Sequence, residues 1–167
     1  MQQRQGGHPA GGLIVEDEGE GALLRLFLAG LPRLGRLDSP DATATAHSKL
    51  CGSTVTVDLR MDGEVVAAFG QTVKACLLGQ AAASVMARNI VGTRAEELRE
   101  VGGAMRSMLK QGGAPPAGRW ADLAVLQPVK DYKARHASTL LVFDAVEAAI
   151  ATAQAKEAPA EPASVRA

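Results

Sequence analysis

Between Thr54 and Met61 the chain alternates with period two: Val55, Val57, Leu59 and Met61 fall on one side, Thr54, Thr56, Asp58 and Arg60 on the other. That period is the signature of a half-buried strand. Asp62-Gly63 follows, a dipeptide that readily supplies the positive φ angles of a two-residue hairpin turn, and Val65 to Phe69 returns as the antiparallel partner. This pair is the firmest constraint on what the chain folds into.

Around the hairpin the other elements take their places. Thr72 and Val73 extend into a third strand ending near Ala75, and Gln80, Ala81, Ala82, Ala83, Val85, Met86 and Ala87 form a helix that Gly92 stops. Thr93 and Glu96 have capping-box spacing at the head of a helix with Leu98, Val101, Met105 and Leu109 on one face, ended by Gly112-Gly113. After the loop Ala114 to Gly118, Trp120, Leu123, Val125 and Leu126 bring the chain back to the core before Pro128. A long last helix runs from about Arg135 to about Ala155, burying Leu140, Leu141, Phe143, Val146 and Ile150. Upstream, Leu23, Leu24, Phe27, Leu28 and Leu31 have the spacing of a short amphipathic helix from Ala22, which Gly30 and Pro32 end. Pro32 to Asp38 is turn-rich and basic, and Ala42 to Ala46 reads as a loop or edge strand. The organisation is a glycine-interrupted, disordered tail over 1–20, one domain over 21–155, and an Ala/Pro/Glu tail over 156–167 with too little apolar surface to order itself. No internal repeat is present.

Composition narrows the function. With 167 residues and 47% hydrophobic content there is material for one domain with a real core. Eighteen basic residues balance eighteen acidic ones, so no global field draws the chain to nucleic acid or an anionic membrane. The opening stretch lacks a basic region followed by an apolar run, and no segment reads as a continuous apolar span of the length a bilayer needs. A cytoplasmic protein is the expectation, and two cysteines in a reducing compartment read as thiols or ligands, not as a structural disulfide.

Those two cysteines sit at structural junctions. Cys51 heads the alternating strand in Leu50-Cys51-Gly52-Ser53, and Cys76 lies where strand gives way to helix in Ala75-Cys76-Leu77-Leu78. A helix N-terminus exposes N–H groups and positive dipole, so Cys76, with Lys74 nearby, is expected to ionise readily; its alternative role is a small buried residue closing the turn. His136 stands at the start of the last helix among Lys130, Lys133 and Arg135, where a histidine is either a third donor or a solvated helix-start residue. His47 lies in a polar stretch four residues before Cys51. Ser84 and Ser138 have no evident base beside them, and Gly79 and Gly92 fit no phosphate-binding pattern.

Taken together, Pro32-Arg33-Leu34-Gly35-Arg36-Leu37, Ser48-Lys49-Leu50-Cys51-Gly52-Ser53 and Lys74-Ala75-Cys76 followed by Gln80 to Met86 resemble the U-type iron–sulfur cluster assembly scaffolds (IscU, SufU and the N-terminal part of NifU), over roughly Leu23 to Ile150. The resemblance implies an α+β fold, a three-stranded antiparallel sheet with helices packed on one face. It also implies a non-enzymatic scaffold that holds a nascent, labile iron–sulfur cluster or Zn(2+) and passes sulfur or cluster on. Its implied partners are a cysteine desulfurase and other assembly proteins, and its state a monomer or weak homodimer. Family members use three cysteines and an aspartate; here Cys51 and Cys76 match, Ser53 stands where the aspartate is usual, and the third cysteine position falls on His136 or Ser138. Imidazole is a competent zinc ligand and replaces thiolate in certain two-iron clusters, so Cys51, Cys76 and His136 form the expected ligand set, with Cys76 the persulfide-accepting thiol. Three other readings are a relative that keeps the fold and docks without cargo, a redox or sulfur-transfer protein in which Cys51 resolves a persulfide on Cys76, and an interaction module docking through Lys130 to Arg135.

Overall fold

The computed structural model describes residues 32–158; the expected N-terminal tail, the helix from Ala22 and the chain beyond residue 158 lie outside the described residues. A three-stranded antiparallel sheet is formed by β1 (Ala42–His47), β2 (Thr54–Asp62) and β3 (Val65–Lys74), in that spatial order. The Asp62-Gly63 turn joins β2 and β3 as expected, with Gly63 at φ 56°. Leu59 pairs with Ala42 on one side and Phe69 on the other, and Val57 pairs with Ala44 and Gln71. Val55, Val57 and Leu59 are fully buried, so the alternation read from sequence is the core face of the central strand.

One strand expectation changes. Thr72 and Val73 do not start a third strand: β3 runs unbroken through Gly70, and the third strand is β1, whose small and threonine residues form the edge. Residues 33–35 lie along the far side of β3, where Gly35 donates to the Gln71 carbonyl and Gln71 donates to that of Arg33.

The helices are α1 (Leu77–Asn89), α2 (Ala95–Gln111) and α3 (Lys133–Glu157), with a 3₁₀ helix over Gly118–Asp131 between the last two. α3 packs on β1 and β2, α1 on β3 and on α3, and α2 lies against α3. Arg106 of α2 ties the pair by a fork to Glu147 (2.9 and 3.0 Å) and a further bond to Asp144 (2.7 Å). By length and composition α3 is apolar enough to cross a membrane, contrary to the reading of the sequence, but 67% of its most apolar stretch is buried within the fold, as in the core helix of a globular domain.

The capping box at Thr93 is not formed. Arg94 is the N-cap of α2, while the buried Thr93 hydroxyl donates to the Asn89 carbonyl and accepts from Arg119. The 3₁₀ helix was read only as a return to the core. Trp120, Leu123, Leu126 and Val129 are its buried residues, spaced by three, the period that stacks side chains on one edge of a 3₁₀ helix.

Candidate functional site

Cys51 sits in the six-residue loop from β1 to β2. The loop is closed by Ser48 N–H to the Ser53 carbonyl and Gly52 N–H to the Ser48 carbonyl, both 2.9 Å, with Gly52 at φ 70°, a left-handed angle that a residue with a Cβ adopts only under strain. Closure turns Ser48 and Ser53 inward, where both are buried, and leaves Cys51 exposed between them. The Cys51 Sγ lies 3.4 Å from Ser48 Oγ and 2.9 Å from Ser53 Oγ. Hydrogen bonds from Ser48, from the Ser53 hydroxyl and backbone N–H, and to a lesser degree from Ser138, outweigh burial and pull the Cys51 thiol down to about 7. Thiolate is therefore substantially populated at neutral pH.

Cys76 follows the end of β3, at the same end of the sheet, because Thr54 and Lys74 are register partners. It is the N-cap of α1, with extended backbone and no side-chain capping bond. Half-buried, its Sγ lies 3.6 Å from Ser138 Oγ, and the Ser138 hydroxyl in turn donates to the Arg135 carbonyl at 3.0 Å. The same hydroxyl is the least of the groups that lower the Cys51 thiol. A glycine sets this approach: a Cβ on Gly79 would lie 3.0 Å from the Ser138 carbonyl oxygen and 2.9 Å from the Ala75 Cβ, so α1 reaches the first turn of α3 only with no side chain there.

His136 does not join the group. Ser138 is two residues further along α3, about 200° around the helix, so when one faces Cys76 the other faces away. The His136 ring is buried, with Nε2 3.1 Å from both the Val129 and Lys130 carbonyls, and it lines a cavity of about 470 Å³ with Arg106, Lys110, Lys133, Leu140 and Asp144. Of the two candidates for the third position, the structure brings Ser138 to the cysteines and turns His136 away. Among the described residues no three His, Cys, Asp or Glu side chains form a metal-binding cluster. His47 stays on the edge strand, bonded through Nδ1 to Thr54 at 3.0 Å.

The donor set is two thiols, Cys51 and Cys76, with the hydroxyls of Ser53 and Ser138 beside them. It fits soft cargo at two positions only, since a neutral serine hydroxyl is a poor ligand for iron or zinc where thiolate and imidazole are good ones. Sequence reasoning named Ser48 only as part of a motif and gave it no role, although a serine on each side of Cys51 was visible as the means of holding a thiolate.

Asp58 was also assigned only to the polar face. Its carboxylate is completely buried under residues 36–37, accepting from Arg36 Nε (2.6 Å) and Nη2 (3.0 Å), Leu37 N–H (3.0 Å) and Thr43 Oγ1 (2.5 Å). Burial pushes it up, but the bonds from Arg36, Thr43 and Leu37 and the Arg36 charge prevail and hold it below its ordinary value.

A hairpin and edge strand backed by helices, with two free cysteines at one end of the sheet, define an α+β protein. No family model matches the chain. The iron–sulfur cluster assembly scaffold protein IscU of Thermotoga maritima is 28% identical over 118 residues, 70% of this chain and 81% of that protein. The crystal structure of the N-terminal part of a NifU-like protein from Brucella abortus is 56% identical and superposes with a TM-score of 0.78, covering 81% of this chain and 93% of that one. A Fervidobacterium islandicum protein assigned as a scaffold of the SUF system shares the fold alone, at 20% identity and a TM-score of 0.70 over 77% of this chain and 93% of its own. The chain belongs to the U-type iron–sulfur cluster assembly scaffold family, a family of scaffolds and not of enzymes.

Proposed function

We propose that this chain is an assembly scaffold that holds a nascent, labile iron–sulfur cluster or a metal ion through the thiolates of Cys51 and Cys76, and passes sulfur or cluster on. The observation that carries the reading is the placement of both cysteines at one end of the sheet, Cys51 in the β1–β2 loop and Cys76 at the head of α1, since Thr54 and Lys74 are register partners. Two thiolates from one chain grip less firmly than three, so cargo is labile. Cys51 is exposed and its thiol is lowered to about 7, which suits it to meet incoming sulfur, while Cys76 completes the pair. The sulfur source that fits is a cysteine desulfurase, and the compartment the cytoplasm, where thiols stay reduced.

Anaerobic addition of iron and sulfide tests this directly. Iron and acid-labile sulfide bound in equal amounts, both lost in Cys51→Ser and in Cys76→Ser while circular dichroism stays unchanged, is the expected result. Zinc bound in place of iron and sulfide would make the chain a zinc-binding relative. Binding of neither would make it a docking member of the machinery that carries no cargo.

A further inference from the structure

The cysteine site uses neither His136 nor the cavity that its ring lines. That cavity, about 470 Å³ and within the size range of small-molecule clefts, lies between α2, which supplies Arg106 and Lys110, and the first half of α3, which supplies Lys133, His136 and Asp144. Arg106 is spent on Asp144 and Glu147. Lys110 and Lys133 have no ion-pair or hydrogen-bond partner among the described residues, so two ammonium groups border the space uncompensated. Lys133 opens α3, whose first turn holds no acidic residue and whose N-cap makes no side-chain bond. A cation there adds to the positive end of the helix dipole instead of offsetting it, which costs the empty helix and favours a bound anion.

His136 decides which anion. The residue is only 9% exposed, and its Nε2 lies 3.1 Å from the carbonyl oxygens of both Val129 and Lys130. Both oxygens can only accept, so in the neutral ring the proton sits on Nε2 and Nδ1 keeps its lone pair. Nδ1 has no hydrogen-bond partner among the described residues. A mostly buried acceptor thus stands beside two unpaired cations, and the ligand that satisfies all three must carry negative charge and a donor proton together. At neutral pH sulfate and simple carboxylates only accept, and a phosphate monoester has for the most part lost its last acidic proton. Inorganic phosphate keeps a P–OH in both of its neutral-pH forms. We propose that this cavity is a binding site for inorganic phosphate, with Lys110 and Lys133 donating to its anionic oxygens and its P–OH donating to His136 Nδ1.

The test titrates inorganic phosphate into the full, metal-free chain at neutral pH and low salt, read by calorimetry and by backbone amide chemical shifts. Saturable binding of one phosphate per chain, with shifts concentrated at residues 106–110 and 133–137, is the expected result. Sulfate and methyl phosphate, which bring charge but leave Nδ1 without a donor, should bind on the order of ten-fold more weakly. Lys110→Gln and Lys133→Gln should each weaken phosphate binding on the order of ten-fold, whereas Lys156→Gln, which removes the same charge at the other end of α3, should leave it unchanged. The comparison of anions needs only the wild-type protein and does not depend on any variant folding. Shifts that grow without saturating, sulfate bound as tightly as phosphate, or lysine variants that bind as the wild type does would each overturn the inference, and none of them bears on the scaffold reading.

Discussion

Ser138 marks the boundary of what single residues disclose. The sequence places His136 and Ser138 equally near a missing cysteine, and chemistry alone favours the imidazole; helix phase decides otherwise, because α3 begins at Lys133 and its first turn directs Ser138 to Cys76 and His136 to the Val129 and Lys130 carbonyls. Phase depends on where packing starts the helix, which residue types do not encode. Cys51 is the complementary case. Sequence reasoning put the reactive thiol at Cys76, from the helix N-terminus, whereas loop closure gives Cys51 two serine hydroxyls and greater exposure. In metal-free protein carrying Cys76→Ser, alkylation of Cys51 should rise with pH through a midpoint near 7. Ser53→Ala removes a donor to the thiolate and should move that midpoint up toward the ordinary thiol value of about 8.5. A midpoint that stays put would assign the acidity to something other than the hydroxyl. Asp58 supports a second residue-scale prediction. Asp58→Asn leaves donors from Arg36, Leu37 and Thr43 facing an amide and should cost about 2 kcal/mol at neutral pH. Because the folded carboxyl is held below its ordinary value, its contribution is present above the unfolded value of about 3.9 and is lost as pH falls through the lower folded one. Urea midpoints of the two proteins should therefore converge below pH 4; a difference that persists unchanged in acid would make the loss steric.

At the scale of elements, what has a short period in the sequence was legible and what depends on neighbours was not. The β2–β3 hairpin follows from alternation and Asp62-Gly63, and the last helix from its apolar spacing, within two residues at either end. β1 was ambiguous because Ala and Thr mark neither core nor water, and only pairing with β2 makes Ala42–His47 a strand. Thr93 has the sequence of a cap, but the buried step from α1 to α2 turns its hydroxyl back to Asn89, so tertiary packing overrides a local motif. The 3₁₀ helix carried its own signal, apolar residues every third position from Trp120 to Val129, which is neither of the two periods usually sought. Trp120 anchors it, buried against α2 with its indole N–H donating to Glu97 at 2.9 Å. Trp120→Ala should cost about 3–5 kcal/mol, and Trp120→Phe, which keeps most of the packing and loses the bond, about 1 kcal/mol. Denaturant unfolding followed by circular dichroism separates the two. Near-equal losses would mean that the indole bond, and not the packed ring, holds the segment.

For the whole molecule, the fold brings three elements to one point: the β1–β2 loop with Cys51, the head of α1 with Cys76, and the first turn of α3 with Ser138. On the scaffold proposal, a frame that supplies three positions but only two thiols would hold cargo transiently, and the missing thiol can be restored without altering the frame. Ser138 is buried and already lies 3.6 Å from the Cys76 sulfur, so Ser138→Cys exchanges one small side chain for another and converts a poor donor into a good one. The variant should bind zinc, and iron with sulfide, more firmly than the wild type, with loss to a competing chelator slowed on the order of ten-fold or more as a third thiolate joins the set. His136→Ala should leave retention unchanged, because the ring faces the cavity beside Arg106 and Lys110 on the other side of α3. Chelator-competition rates for the wild type and both variants, with folding checked by circular dichroism, decide the matter: retention lost in His136→Ala and unimproved in Ser138→Cys would place the third donor at the imidazole and require α3 to turn when cargo binds.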